Sequence, residues 1–323
     1  MAQVSSAAKW LANKYLVDGL LAHVPVVGGW IERQKRLLRI AGACGYEPGH
    51  FYSPIPSIPE IRSNARRLFS EQVPLDVDLN LDAQRKLLGE FKSFRREFPY
   101  DFLNARESPN LRYKWVNGCQ YRYSDVVFLY CAMRHLRPRR IVEVGCGSSS
   151  AVILDVNDLF FNSTIQTSFI DPYPAGLHHF LKDSDRQHVN IIAEKVQDAP
   201  IDIFESLDEN DILFIDSSHT VKIGSDVNHL VFEILPRLRK GVCIHFHDVF
   251  YAFELPEHWI LRYKRFWNES YLLRAFLMNN DSYEIWLFNT LLQTRCREWF
   301  EEEMPECLLD EYNTGSIWLR KTK

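Results

Sequence analysis

The sequence predicts an α/β protein with a doubly wound parallel sheet. Two observations carry this. From about residue 120, short apolar runs alternate with amphipathic helical stretches. The runs are apolar almost throughout, as strands are when helices cover both faces of a parallel sheet. The expected elements are helix 123–136, capped by Ser124 or Asp125 and stopped before Pro138, strand 140–145, helix 149–161 and strand 166–171. Helix 175–181, strand 189–195, helix 201–207, strand 211–216, helix 225–238 and strand 241–247 continue the series. The rhythm then breaks into a helix over 266–279, a strand over 283–289, another helix, and a last strand over 316–321.

Residues 1–98 read as a helical N-terminal extension, with apolar residues at three- and four-residue steps in 5–23, 29–42 and 81–98. Between them, 47–61 holds four prolines and reads as a loop, a candidate lid that would keep water from a reacting group. Residues 99–323 form the main domain. The apolar run 19–31 contains His23, Pro25 and two glycines and is too short to span a bilayer. A net charge of −4 with no basic run gives no case for nucleic acid. Seven scattered cysteines without a CxxC pair read as free thiols of a cytoplasmic protein.

The chemistry concentrates where the expected strands end. The first strand closes in EVGCGSSS, 143–150. Gly145 and Gly147 let a ligand approach the backbone at a helix N-terminus. Asp171 closes the second strand, where a carboxylate suits ribose hydroxyls; Gln197 and Asp198 follow the third, where they would meet a base edge. Asp216 closes the fourth and His219 lies three residues on. The fifth, GVCIHFHDVF, brings His245, His247 and Asp248. His245 and His247 share a strand face, and His245, one pleat deeper, reads as a hydrogen-bonded core residue. Histidine is the usual side chain for moving a proton near neutral pH.

With E-x-G-x-G, the Asp after the second strand and DILFID, the chain resembles class I S-adenosylmethionine-dependent methyltransferases. Residues 212–250 and 49–57 resemble the bacterial methyltransferase 24 type. The resemblance implies a Rossmann-like seven-stranded sheet whose C-terminal strand, 316–321, runs antiparallel. It also implies S-adenosylmethionine held by Glu143, Gly145, Gly147, Ser148, Asp171, Gln197, Asp198 and Asp216. Cation-dependent O-methyltransferases carry a metal on an Asp after the fourth strand and an acidic pair after the fifth. The corresponding positions here are Asp216, His247 and Asp248, with His219 at the general-base position. An imidazole among these ligands suits manganese, iron or zinc better than magnesium. The expected reaction is methylation of a small-molecule or saccharide hydroxyl, with His219 as base and His247 as its partner. An iron oxygenase using the His-x-His-Asp cluster, and a non-catalytic cofactor-binding regulator, are the alternatives.

Overall fold

The computed structural model describes residues 45–70, 73–115, 120–310 and 312–323. The helices expected over 5–23 and 29–42 lie outside these residues. Two compact units are defined, one ending at Leu68 and one running from Phe69 to Lys323. The larger unit therefore begins upstream of the expected boundary at 98/99.

In the first unit the proline-rich segment is a loop only as far as Ser57. Helix α1, Ile58–Leu68, follows where loop was expected, because Pro59 sits in its first turn, where no N–H is needed.

The second unit opens with α2, Leu81–Phe91, followed by a tighter turn to Glu97. Then come α3 (Ser124–Leu136), β1 (Arg140–Val144), α4 (Ser148–Phe161), β2 (Gln166–Ile170), β3 (Val189–Ile192), α5 (Asp202–Glu205) and β4 (Ile212–Ile215). Helix α6 is regular only over Asp226–His229; it widens and then tightens through Arg237 because Pro236 has no N–H to give. The chain closes with β5 (Cys243–His247), α7 (Glu257–Leu261), α8 (Glu269–Leu277), β6 (Tyr283–Phe288), α9 (Asn289–Arg295), α10 (Arg297–Glu303) and β7 (Ser316–Lys321). The expected helix over 175–181 is a short 3-10 turn, and α7 has no counterpart among the expected elements.

The seven strands are ordered β3-β2-β1-β4-β5-β7-β6. β1 to β5 are parallel; β7 is antiparallel to both its neighbours. Side chains alternate between faces. Ile141, Phe169, Phe214 and Trp318 pack under α2, α3 and α4 on one face, while Val142, Leu213, Ile244 and Leu319 pack under α6 and α8 on the other. Helix α3 is buried along nearly its whole length, and its expected caps do other work. Ser124 Oγ donates to Thr314 Oγ1 at 2.9 Å and Asp125 accepts from Asn289 Nδ2 at 3.1 Å.

A buried arginine fastens the 100–113 segment to this frame. Arg112 contacts Asp155 at 3.3 Å, Asp158 at 2.7 Å and Asp185 at 2.8 Å. Asp155 also accepts the backbone N–H groups of Arg112 and Tyr113 at 2.9 and 3.0 Å. The guanidinium thus fills the grouping of Asp158, Asp185 and His188 that would otherwise offer metal donors. Arg112→Met leaves three carboxylates facing one another, with only Lys182, 3.2 Å from Asp158, as a lysine or arginine counter-charge among the described residues. It should cost about 3 kcal/mol or more in urea unfolding, with Arg112→Lys recovering part of the loss.

Candidate functional site

The site is built at the carboxyl ends of β1, β2, β4 and β5. Gly145, just after β1, has φ +85, and a Cβ there would lie 1.8 Å from the Asp216 carbonyl oxygen. Only glycine allows this crossing of two strand ends. Among the described residues a Cβ on Gly147 would meet nothing within 4 Å, which leaves this side of the turn open to a ligand.

Glu143 is buried in β1. Its carboxylate accepts from the hydroxyls of Ser149 and of Ser150, the latter at 2.6 Å. Burial pushes its pKa up to about 8, against the pull of the two serines. Ser148, the first residue of α4, is half-buried beside them. Asp171 ties two turns together: Oδ2 accepts Cys146 N–H at 3.0 Å and Oδ1 accepts Tyr173 N–H at 2.6 Å. Gln197 reaches toward the turn after β4, donating to the Gly224 carbonyl at 2.9 Å. Asp198 beside it is exposed.

At the reacting edge, donor atoms of Asp216, His219, His247 and Asp248 all lie within 4.8 Å of one another. Asp216 Oδ1 stands between the rings, 3.1 Å from His219 Nε2 and 3.3 Å from His247 Nδ1. His219 Nε2 is 3.6 Å from Asp248 Oδ2, and its Nδ1 is 2.9 Å from Glu269 Oε2. His247 Nε2 lies 3.5 Å from Asp125 Oδ2 and 3.7 Å from Asp248 Oδ1. Neither His247 nitrogen lines up a hydrogen bond on these carboxylates, and Asp125 Oδ2 is likewise buried without a partner among the described residues.

Burial alone would lower both histidine pKa values. The facing carboxylates override it: hydrogen bonds donated to Asp216 and Glu269 raise His219 to about 10, and the charges of Asp248 and Asp216 hold His247 well above its ordinary value. Burial raises Asp248 to about 6, whereas the charge of His247 and the His219 hydrogen bond carry Asp216 below the usual carboxylate range despite its burial. His219 and Asp248 have φ +55 and +58, left-handed conformations that cost energy for non-glycine residues and recur at functional sites. The His219 turn is held from outside, its carbonyl accepting the N–H groups of Asn268 and Glu269 at 3.1 and 3.2 Å.

His245 is in the core as expected, but not as a hydrogen-bonded residue. Both ring nitrogens are buried without a partner among the described residues, and the ring stacks on Phe214 at 3.9 Å. Burial keeps it neutral by lowering its pKa. Two members of the cluster were not legible as such in the sequence. Asp125 read as a helix cap, and Glu269 falls at the start of the helix expected over 266–279. The only local signal was an acidic residue in the first turn of each helix.

Residues 142–249 match the family model described as a methyltransferase domain, of the methyltransferase 24 type. The matched span runs from β1 to the turn after β5. An uncharacterized protein of Archaeoglobus fulgidus is 35% identical over 170 residues, covering 51% of this chain and 75% of that protein. Among solved structures, the chain is similar to the S-adenosylhomocysteine-bound methyltransferase PaMTH1 of Podospora anserina, at 15% identity and a TM-score of 0.38, covering 82% of this chain and 95% of that one. It is also similar to an O-methyltransferase of Bacillus cereus in complex with S-adenosylhomocysteine, at 11% identity and a TM-score of 0.39, covering 82% and 97%. The sheet order and the matched domain define a class I methyltransferase. The chain belongs to the methyltransferase 24 family.

The proton affinity of His219 has a sign that can be tested. Its folded value lies above the ordinary one, so its contribution to stability is complete below about pH 6.5 and is lost as pH rises through about 10. In chelator, the urea midpoint should fall between about pH 7 and about pH 10, and Glu269→Gln should flatten that fall. An equally steep fall in the variant would remove Glu269 as the cause.

Proposed function

We propose that this methyltransferase uses S-adenosylmethionine to methylate a hydroxyl of a small molecule or saccharide. One observation carries the reading: Asp216 belongs both to the glycine turn, through its carbonyl against Gly145, and to the ionic cluster, through its carboxylate. A ligand on that turn would therefore lie against the cluster.

S-adenosylmethionine supplies a methyl group on a sulfonium, which an oxygen attacks in line as the carbon–sulfur bond breaks and its electron pair stays on sulfur. The residues present fit it. The open side of Gly147 admits the methionine end, and Ser148 begins the helix beside it. Glu143 would hold the amino group and Asp171 the ribose, each oxygen retaining a lone pair beyond the bond it already accepts. Gln197 and Asp198 would flank the adenine. His219 is the general base in its neutral form: Nδ1–H donates to Glu269, and Nε2, once it has lost the proton that its raised pKa holds there, takes the acceptor hydroxyl's proton, so transfer should rise with pH above neutrality. His247 holds Asp216 in place from the other side.

Asp216, His247 and Asp248 also fit a divalent cation, because His247 keeps two buried nitrogens without an aligned partner. Such an ion would polarise the acceptor oxygen and lessen the carboxylate field that now keeps His219 charged. Protons and metal compete for His247, so the raised proton affinity sets a pH threshold for metal binding.

Calorimetry should show S-adenosylmethionine binding to the whole protein; absence of binding ends the methyltransferase reading. His219→Ala should keep that affinity and lose about 100-fold or more in methyl transfer. Chelator should suppress turnover near neutral pH, with manganese restoring it; turnover indifferent to chelator ends the metal reading. A cofactor ammonium beside Glu143 should favour its ionised form, so binding at neutral pH should release protons. Calorimetry in two buffers of different ionisation heat measures the release, and Glu143→Gln should abolish it.

A further inference from the structure

The loop between β5 and α8 holds a guanidinium that the fold leaves unclaimed. The Arg265 guanidinium carbon lies 4.3 Å from the Trp259 ring centre and 4.8 Å from that of Trp267. Arg265 is half-buried, yet among the described residues none of its guanidinium N–H groups has an acceptor and no carboxylate pairs with it. Arg112 shows the contrasting case, a buried guanidinium with three carboxylates around it. The indoles around Arg265 are fixed in place. Trp259 and Trp267 meet edge to face at 5.7 Å, and Trp259 Nε1 donates to Asn313 Oδ1 at 2.8 Å. The backbone N–H of Arg265 donates to the Trp259 carbonyl at 3.1 Å. Trp267 in turn lies over His219, with ring centres 4.6 Å apart. One aromatic ring therefore separates the open guanidinium from the candidate base.

We propose that Arg265 binds an oxyanion carried by the methyl acceptor, a carboxylate or a phosphate, and so sets which hydroxyl reaches His219. This rests on the methyltransferase reading above and adds the acceptor's chemical class. Contact with two indoles set edge to face pre-organises the planar fork, which matches two oxygens of an oxyanion at once. Charge separation points the same way. Asp216, Asp248, Glu269 and Asp125 make the reacting edge acidic, and an anion placed among them would be repelled. Arg265, one ring away, takes the anion outside that field while a neutral hydroxyl enters it.

The test uses the full chain loaded with S-adenosylhomocysteine, titrated separately with benzoate, phenyl phosphate and benzyl alcohol and followed by ligand-detected NMR. At least one oxyanion should bind about tenfold or more tightly than the alcohol. Arg265→Gln should erase that preference and Arg265→Lys should keep part of it. S-adenosylhomocysteine affinity, measured alongside, should be the same in all three proteins and reports an intact fold. Equal binding of the probes, no binding of any, or a preference that survives Arg265→Gln overturns the proposal. Failure of the wild-type chain to bind S-adenosylhomocysteine strikes the methyltransferase reading instead. The probes titrated onto the unloaded chain then decide the oxyanion site alone.

Discussion

The carboxylate of Asp216, set between two imidazole rings, is the interaction on which the reacting edge depends. Its Oδ1 is shared by His219 and His247, and its backbone carbonyl occupies the space that any side chain on Gly145 would need. Three further carboxylates, Asp125, Asp248 and Glu269, face the same two rings. So many acidic groups in a buried place hold together only with positive charge among them. Two protonated histidines supply it in the bare protein; a divalent cation would supply it with fewer protons. The charge state of the histidines and the occupancy of the donors are thus one equilibrium.

Holding this cluster together strains the backbone, and the strain is supported from outside. His219, in the turn after β4, and Asp248, just after β5, both adopt left-handed conformations. The start of α8 grips the His219 turn through two N–H groups and Asn268 Oδ1, which accepts Val221 N–H at 2.6 Å. Asn289, at the start of α9, orients Asp125 from below. Three helices far apart in sequence therefore converge on two adjacent strand ends. Their rigidity, more than that of the loops, fixes the distances between donors.

Much of this was legible in the sequence because its signals are local. The apolar runs gave all seven strands their places, and the polar residue ending each parallel strand marked the site's rim. The departures have physical causes. Pro59 read as a loop-former but suits a helix's first turn, so α1 begins inside the expected loop. Pro236 breaks a stretch that reads as one helix. Ser124 and Asp125 have the chemistry of caps, but burial of α3 turned them to tertiary partners. His245 was expected to have a hydrogen-bonded partner; Phe214 took its face instead.

By itself the sequence determined the α/β sheet, the glycine turn after β1 and the acidic and histidine residues at the ends of β4 and β5. Each of these follows from apolar periodicity or from short spacing along the chain. Only the tertiary structure decided that Glu269 and Asp125 join the cluster, that the rings carry protons, and that Arg265 stands open beside Trp267. Proton affinity and pairing depend on which groups approach within a few ångströms in a buried place. For residues separated by the length of a domain, that approach is set by how the helices dock on the sheet.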